Sequence, residues 1–372
     1  MLFSIFSKDS MYINVILLNI FITAILNGMA VAEDFYLDSP KNSGTLRFEI
    51  DNDIIWNRDS NFTNGWSFQY HTKRYASWDE TKAPIFVKWI GNRFPTLDED
   101  ESIVRIGQGI GQNMITPGDL SVEVPQEGDV PYAGTLTYTI NWQSFNRYKG
   151  KNFQVSLGVL GSESMAEEFQ KFVHDDLGIG DSPQGWDTQR ETEPIINLGY
   201  EYSWRVGHIG NYLNDWGGQF TVTPSAALGN LMTGLEMGLA LRYGWNILEG
   251  FNTYPAPPGR GFFQASHLPK PPSASPHGFE AVLGARACYL IYSVIYDGSL
   301  ITDDTRSVDR NDFILVGGFG LFYHYYKFFS IRATFQTSTD LLVEESIPEP
   351  EPGGTKTSAK VSYGSFIIDF YF

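Results

Sequence analysis

The feature that most limits how this chain can fold is a two-residue alternation that recurs in one segment after another. Leu46, Phe48 and Ile50 alternate with Thr45, Arg47, Glu49 and Asp51. After an acidic, Asn-rich loop, Trp66, Phe68 and Tyr70 alternate with Ser67, Gln69 and His71. Period two over this length specifies strands with one apolar and one polar face. The pattern predicts strands near 44–54, 63–74, 101–112, 133–145, 152–161, 193–206, 218–229, 234–247, 279–296, 311–326, 328–339 and 360–372, an even dozen. Two are especially clean. Phe220, Val222, Ala226 and Leu228 oppose Gln219, Thr221, Thr223 and Ser225, and Phe366, Ile368, Phe370 and Phe372 oppose Ser365, Asp369 and Tyr371.

Strands this long, even in number and rich in aromatics, fit an all-β fold, a transmembrane antiparallel β-barrel. A soluble β-sandwich also alternates, but its strands are shorter and its inner face is apolar. The N-terminus supports export. Lys8 precedes the apolar stretch YINVILLNIFITAIL, and Ala30-Val31-Ala32 forms a small-x-small cleavage site. Residues 1–32 therefore read as a signal peptide, with Met11 as an alternative start and a retained membrane anchor as the competing reading. Residues 33–372 form one barrel domain. No interior segment has the apolar run of a spanning helix. The net charge of −17 argues against nucleic acid as a partner. The single cysteine, Cys288, rules out an intramolecular disulfide framework. The terminal Phe372 is similar to the C-terminal signature of bacterial outer-membrane proteins.

With both termini in the periplasm, loops after odd-numbered strands open outward: 55–62, 113–132, 162–192, 230–233, 297–310 and 340–359. The first three hold most of the polar chemistry and share one rim. The segments 75–100 and 248–278 fall on the periplasmic side, where turns are usually short. The second, with PAPPGRG and PKPPSASP, is expected to be irregular, as a plug or an extended flap. The 340–359 loop, with Glu344, Glu345, Glu349 and Glu351 among prolines, reads as a mobile acidic flap.

Three constellations on that rim could carry chemistry. Asp51, Asn52, Asp53 and Asp59, with Asn57, Asn61, Thr63 and Asn64, supply the oxygen ligands a hard cation needs, although exposed turns use the same residues. Parity places Asp53 and Thr63 on the polar, inward side, and Asn52 on the apolar side unless the strand bulges. The stretches Gly111–Leu120 and Gly128–Leu136 read as turns flanking strands, with Ala133-Gly134 allowing close backbone approach. In the third loop, Phe169, Phe172, Val173 and Leu177 have helical spacing and Gly178 is a stop, so a short helix carries His174. A histidine there could be a general base, or only solvated. His71 is a second candidate with nothing to orient it. His208, His267, His277 and His324 have no metal-ligand spacing, and no G-x-S-x-G elbow occurs.

In one order along the chain stand the Asn52-Asp53 pair, D-x-x-x-T-N-G at Asp59–Gly65, Q-N-x-x-T-P at Gln112–Pro117, P-Y-A-G at Pro131–Gly134 and L-G-V-x-G at Leu157–Gly161. Q-x-x-x-H at Gln170–His174 and G-W-D-x-Q at Gly185–Gln189 follow. In these the chain resembles the outer-membrane lipid A 3′-O-deacylases. The resemblance implies a twelve-stranded monomeric barrel that hydrolyses an acyl ester of lipid A or lipopolysaccharide in the outer leaflet with Ca²⁺. It implies His174 as base, Asp53 and Asn52 at the cation, and Thr63 in the active site. The chain departs from the family pattern in having no basic residue from Gly118 to Val124, and in carrying Gly180 where the family has an acid. Asp175, Asp176 and Asp181 stand nearby. A phospholipase-type barrel and a non-enzymatic porin are the competing functions.

Overall fold

The computed structural model describes residues 44–53, 61–94, 102–172, 182–210, 215–248, 250–251, 275–325, 328–349 and 356–372. Twelve antiparallel strands close into one barrel. They are β1 (Thr45–Asn52), β2 (Asn61–His71), β3 (Ile103–Thr116), β4 (Ala133–Phe145), β5 (Lys149–Leu160) and β6 (Glu193–Gly210), then β7 (Trp216–Gly229), β8 (Met232–Trp245), β9 (His277–Ser293), β10 (Phe313–Tyr325), β11 (Phe329–Asp340) and β12 (Lys360–Tyr371). Each strand pairs with its neighbour in sequence, and β1 closes the barrel on β12 with Thr45 opposite Tyr371. The expected strand count and topology hold, so both described termini lie at one end and the loops after odd strands at the other. Most strand ends shift by a few residues, and one shift matters for the site. β3 continues to Thr116, so Gly111–Thr116 is strand rather than turn. Both faces of this stretch are covered, every residue of it is buried, and alternation therefore disappears from the sequence just where the strand persists.

The inward positions are polar, yet they are packed. Arg47, Arg105, Arg242, Arg286 and Arg332 are all at most 1% exposed. Buried charges require partners. Arg47 Nε donates to Asp369 at 2.7 Å, and Arg332 donates to the same carboxylate. Arg286 pairs with Glu236 at 2.8 Å and Arg242 with Glu280 at 2.5 Å. Above this polar layer, Phe62, Ile115, Val294, Ile295, Tyr296 and Leu341 belong to an apolar cluster that caps the outward end. Among the described residues this is a filled lumen, which weighs against a wide porin channel.

The outer wall is the reverse: Phe48, Leu239, Leu283 and Leu321 are exposed. At the periplasmic end Tyr323 packs on Phe279 and Phe329, with centroids 5.1 and 6.0 Å apart, and Tyr70 stacks on Phe372 at 6.2 Å. An apolar band ending in an aromatic girdle is the surface a bilayer demands. No helix among the described residues is long and apolar enough to cross a membrane.

The two long periplasmic segments behave differently. In the first, a 3-10 turn (Trp78–Glu80) and a helix α1 (Ile85–Arg93) pack on the outside of the barrel. In the second, the barrel interior takes the beginning: Arg242 donates to the carbonyls of Leu248 and Gly250 at 2.9 and 3.1 Å. The expected plug or flap itself, 252–274, lies outside the described residues. The 340–359 loop is described at its two ends. It starts and ends in packed backbone, because Leu341 and Leu342 donate to the Ala359 carbonyl at 2.7 and 3.0 Å, and Ile347 is buried in the cap. Residues 350–355, with Glu351, lie outside the described residues.

Candidate active site

The site begins with one extra residue. β2 pairs with β3 as Phe62 opposite Ile115 and Asn64 opposite Met114, leaving Thr63 without a counterpart. That is a β-bulge, a device that re-aims a side chain. Thr63 Oγ1 lies 2.6 Å from Thr116 Oγ1. Alternation along β3 puts Thr116 on the face of Gln112 and Met114, the outer wall, opposite the inward Arg105. The simple parity that aimed Thr63 into the lumen is therefore overturned: the inserted residue reverses its face.

The carbonyl of Thr63 then collects the other two residues. Asn52 ends β1 opposite Asn64, and its Nδ2 donates to Thr63 O at 3.3 Å. The backbone N–H of Asp53 donates to the same oxygen at 3.3 Å, and the Asp53 side chain is buried. Asn52, Asp53 and Thr63 thus form one cluster. His174 and Asp59 lie outside the described residues.

The chain leading towards His174 is placed through Phe172, and it packs beside this cluster: Ala166 shares a buried apolar group with Met114, the residue opposite Asn64. Helix α2 (Ala166–Lys171) lies on the outer wall over β2–β4. A Cβ on Gly134 would come within 2.2 Å of Ser164 Oγ and 2.3 Å of the Ala166 Cβ, so only glycine lets the helix sit this close. The sequence expectation of a close approach at Ala133-Gly134 holds, although both residues belong to β4. Gln112 fixes the height: its Nε2 donates to Ser164 O at 2.6 Å and its Oε1 accepts from Trp66 Nε1 at 2.9 Å. Trp66 also packs on Phe169, centroids 6.2 Å apart. The apolar residues that announced this helix do not all point into protein. Phe172 is half exposed, as suits a helix edge that faces acyl chains.

Two amides stand out: Gln170, which sequence reasoning left without a role, and Asn64, one of the candidate cation ligands. Gln170 is buried, and its Oε1 accepts from Trp186 Nε1 at 2.7 Å. Because the indole can only donate, the amide orientation is fixed, and Gln170 Nε2 is left with no protein partner. The Oδ1 of Asn64 is likewise buried without a donor. Orphans of this kind are rare and call for a ligand or water. Gln112, Thr116 and Gln170 all fall inside quoted motifs, so the signal was present as spelling but not as chemistry.

Outer loops brace this arrangement. Gln184 N donates to Leu120 O and Arg190 N to Tyr132 O, each at 2.8 Å, with Trp186 packed on Tyr132. Arg190 Nη1 donates to Asp304 at 3.0 Å and Arg306 Nη2 to the same carboxylate at 2.6 Å, tying the third loop to the fifth. Burial alone would raise the Asp304 pKa, but hydrogen bonds from Arg306 and the charges of both guanidiniums outweigh it and hold the group down to about 2. Asp129 accepts from Gly118 N and from Thr357 Oγ1, joining the second loop to the sixth. There burial outweighs those hydrogen bonds and pushes the carboxyl up.

A hard cation takes carboxylate, amide and carbonyl oxygens. Asp53, Asn52 and the unpartnered Asn64 Oδ1 are donors of that kind, so the residues present fit one. No group of three His, Cys, Asp or Glu gathers among the described residues.

The sequence model of the outer membrane protein LpxR family matches residues 16–357. This chain belongs to the LpxR family. No curated protein matches it by sequence. LpxR from Salmonella typhimurium superposes with a TM-score of 0.64 at 17% identity, covering 88% of this chain and 100% of that one. The β domain of the Bordetella autotransporter BrkA reaches a TM-score of only 0.37 at 8% identity, covering 89% and 97%. As an LpxR-family barrel the chain resides in an outer membrane, and the superposition carries its twelve-stranded fold.

Proposed function

We propose that this protein is a Ca²⁺-dependent hydrolase that removes an acyl chain from lipid A by direct attack of water. One observation carries the reading: Asn52 and Thr63, beside Asp53, lie on the lipid side of the barrel wall, the same side on which helix α2, leading towards His174, packs. An amphiphile held in the outer leaflet reaches such a site by lateral movement, its ester entering between wall and helix.

His174 takes the proton from the attacking water and returns it to the alkoxide oxygen released when the acyl C–O bond breaks, a task suited to an imidazole. Gln170 Nε2, fixed by Trp186 and otherwise unpartnered, donates to the ester oxygen as charge develops on it. Thr63 and Thr116 share a hydroxyl hydrogen bond that positions the cluster. Asp53 and Asn52, with Asn64, would hold Ca²⁺, and the ion when bound supplies positive charge near the ester carbonyl. An acidic chain that takes a phosphorylated lipid has added reason for such a charge.

The test is purified protein incubated with lipid A, with Ca²⁺ or with chelator, and products weighed by mass spectrometry. Loss of one acyl chain that requires Ca²⁺ and disappears in His174→Ala supports the reading. Unchanged lipid A with release of fatty acid from glycerophospholipid would transfer the site to a phospholipase activity.

A further inference from the structure

Helix α1 lies far from that site, at the periplasmic end, and it too sits outside the barrel. On β4, Thr139, Asn141 and Gln143 are the inward residues, which leaves Ile140 and Trp142 on the outer wall. Trp142 is nonetheless only 1% exposed, because α1 covers it. Its Nε1 donates to Val87 O at 2.8 Å, and Val87 packs in one cluster with Trp78, Val104 and Trp142. Gly91 makes the approach possible, since a Cβ there would stand 2.5 Å from the Trp78 ring. At the helix end Phe94 stacks on Phe153, a lipid-side residue of β5, at 5.3 Å.

Val87 and Gly91 point to the wall, so the opposite face of α1 looks away from the protein. That face is apolar: Ile85, Phe86 and Trp89 are 85%, 57% and 54% exposed. Arg93 shares it, with its guanidinium 5.1 Å from the Trp89 ring centroid. Nine residues are too few for a stable isolated helix, and water is a poor solvent for such a face. The exposed wall residues Ile110, Tyr138 and Leu157 on β3, β4 and β5 continue the apolar surface toward the outward end, so the patch is the lower edge of the membrane band.

The geometry points to α1 as an interfacial helix seated in the periplasmic leaflet, with Ile85, Phe86 and Trp89 at the acyl boundary of phospholipids and Arg93 among their phosphates. Aromatic and cationic side chains on a short helix favour that depth. The barrel would then hold lipid in both leaflets at one sector of its wall, independently of what the outward site hydrolyses.

The test is depth measurement in vesicles of phosphatidylethanolamine and phosphatidylglycerol. Trp89→Cys and Lys82→Cys are each spin-labelled in the full chain, with Cys288 too buried to react and unlabelled wild type as blank. Heat-modifiable migration confirms folding. The expected result is that the label at 89 is relaxed by oxygen several-fold more than by a water-soluble nickel chelate, whereas the label at 82, exposed on the preceding loop, shows the reverse. Equal chelate access at both positions would overturn the proposal. Spin–spin broadening at 89 would overturn it too, by assigning the face to a second copy of this chain. Neither readout depends on catalytic activity.

Discussion

Two short helices stand on the same stretch of barrel wall, one at each end, and they are fixed in opposite ways. Helix α2 is held chiefly by polar contacts, Gln112 (itself braced by Trp66) to Ser164 and Trp186 to Gln170, with Phe169 in ring contact with Trp66. Helix α1 is held chiefly by ring packing, with Trp78, Trp142 and Phe153 against Val87, Gly91 and Phe94, and by a hydrogen bond from Trp142 to Val87 O. Each needs one glycine to come close, Gly134 in the wall for the first and Gly91 in the helix for the second. Polar contacts have directions and fix atoms within tenths of an ångström, which chemistry requires. Ring packing tolerates sliding, which is adequate for a surface that meets fluid lipid.

The largest effect should come from breaking the outward end. His174→Ala and Asp53→Ala are each expected to lower lipid A deacylation by about 10²–10⁴-fold while the barrel still folds. Fatty acid release at the wild-type rate by either variant would remove it from the site. Next, Gly134→Val should displace α2 and reduce activity by at least about tenfold, because small misplacements are costly in catalysis. The matched change at the other end, Gly91→Val, should leave turnover near wild type.

The braces offer a third lever. Asp304→Ala leaves Arg190 buried without its carboxylate, and removal of one partner from a buried pair costs about 3–5 kcal/mol. Faster proteolytic cleavage in the outer loops, with the strands still protected, is the expected readout. The pH dependence follows from the same carboxylate. Its folded pKa, about 2, lies below the ordinary value near 3.9. The stabilisation it provides is thus complete above about pH 4 and disappears as pH falls toward 2. Loop protection that persists below pH 2 would remove Asp304 from that role. Smallest of all, Trp89→Ser should shift the depth of the periplasmic helix and leave deacylation unchanged within about twofold.

The barrel was legible because alternation is a direct consequence of a wall with lipid on one side and packed polar groups on the other. Twelve strands and their directions could be counted from residues such as Phe220–Leu228 and Phe366–Phe372. The end of β3 was not, since Met114 and Ile115 are both covered and give no period. The cluster of Asn52, Asp53 and Thr63 was legible as composition, and Asn52 stands on the apolar side as parity required, yet the face of Thr63 was misread because a bulge leaves no mark in the spacing of apolar residues. Helix α1 went unread for a related reason. Its apolar face is turned outward, and a sequence does not distinguish an outward apolar face from a core one.

The unpaired residue in β2 has a consequence for how such a protein could arise or be silenced. Removing the one residue between Phe62 and Asn64 would restore uninterrupted pairing with β3, and with it would go the Thr63 hydroxyl that reaches Thr116 and the carbonyl that Asn52 and Asp53 share. The wall would pair evenly there and the three-residue cluster would come apart, so the whole arrangement hangs on one codon.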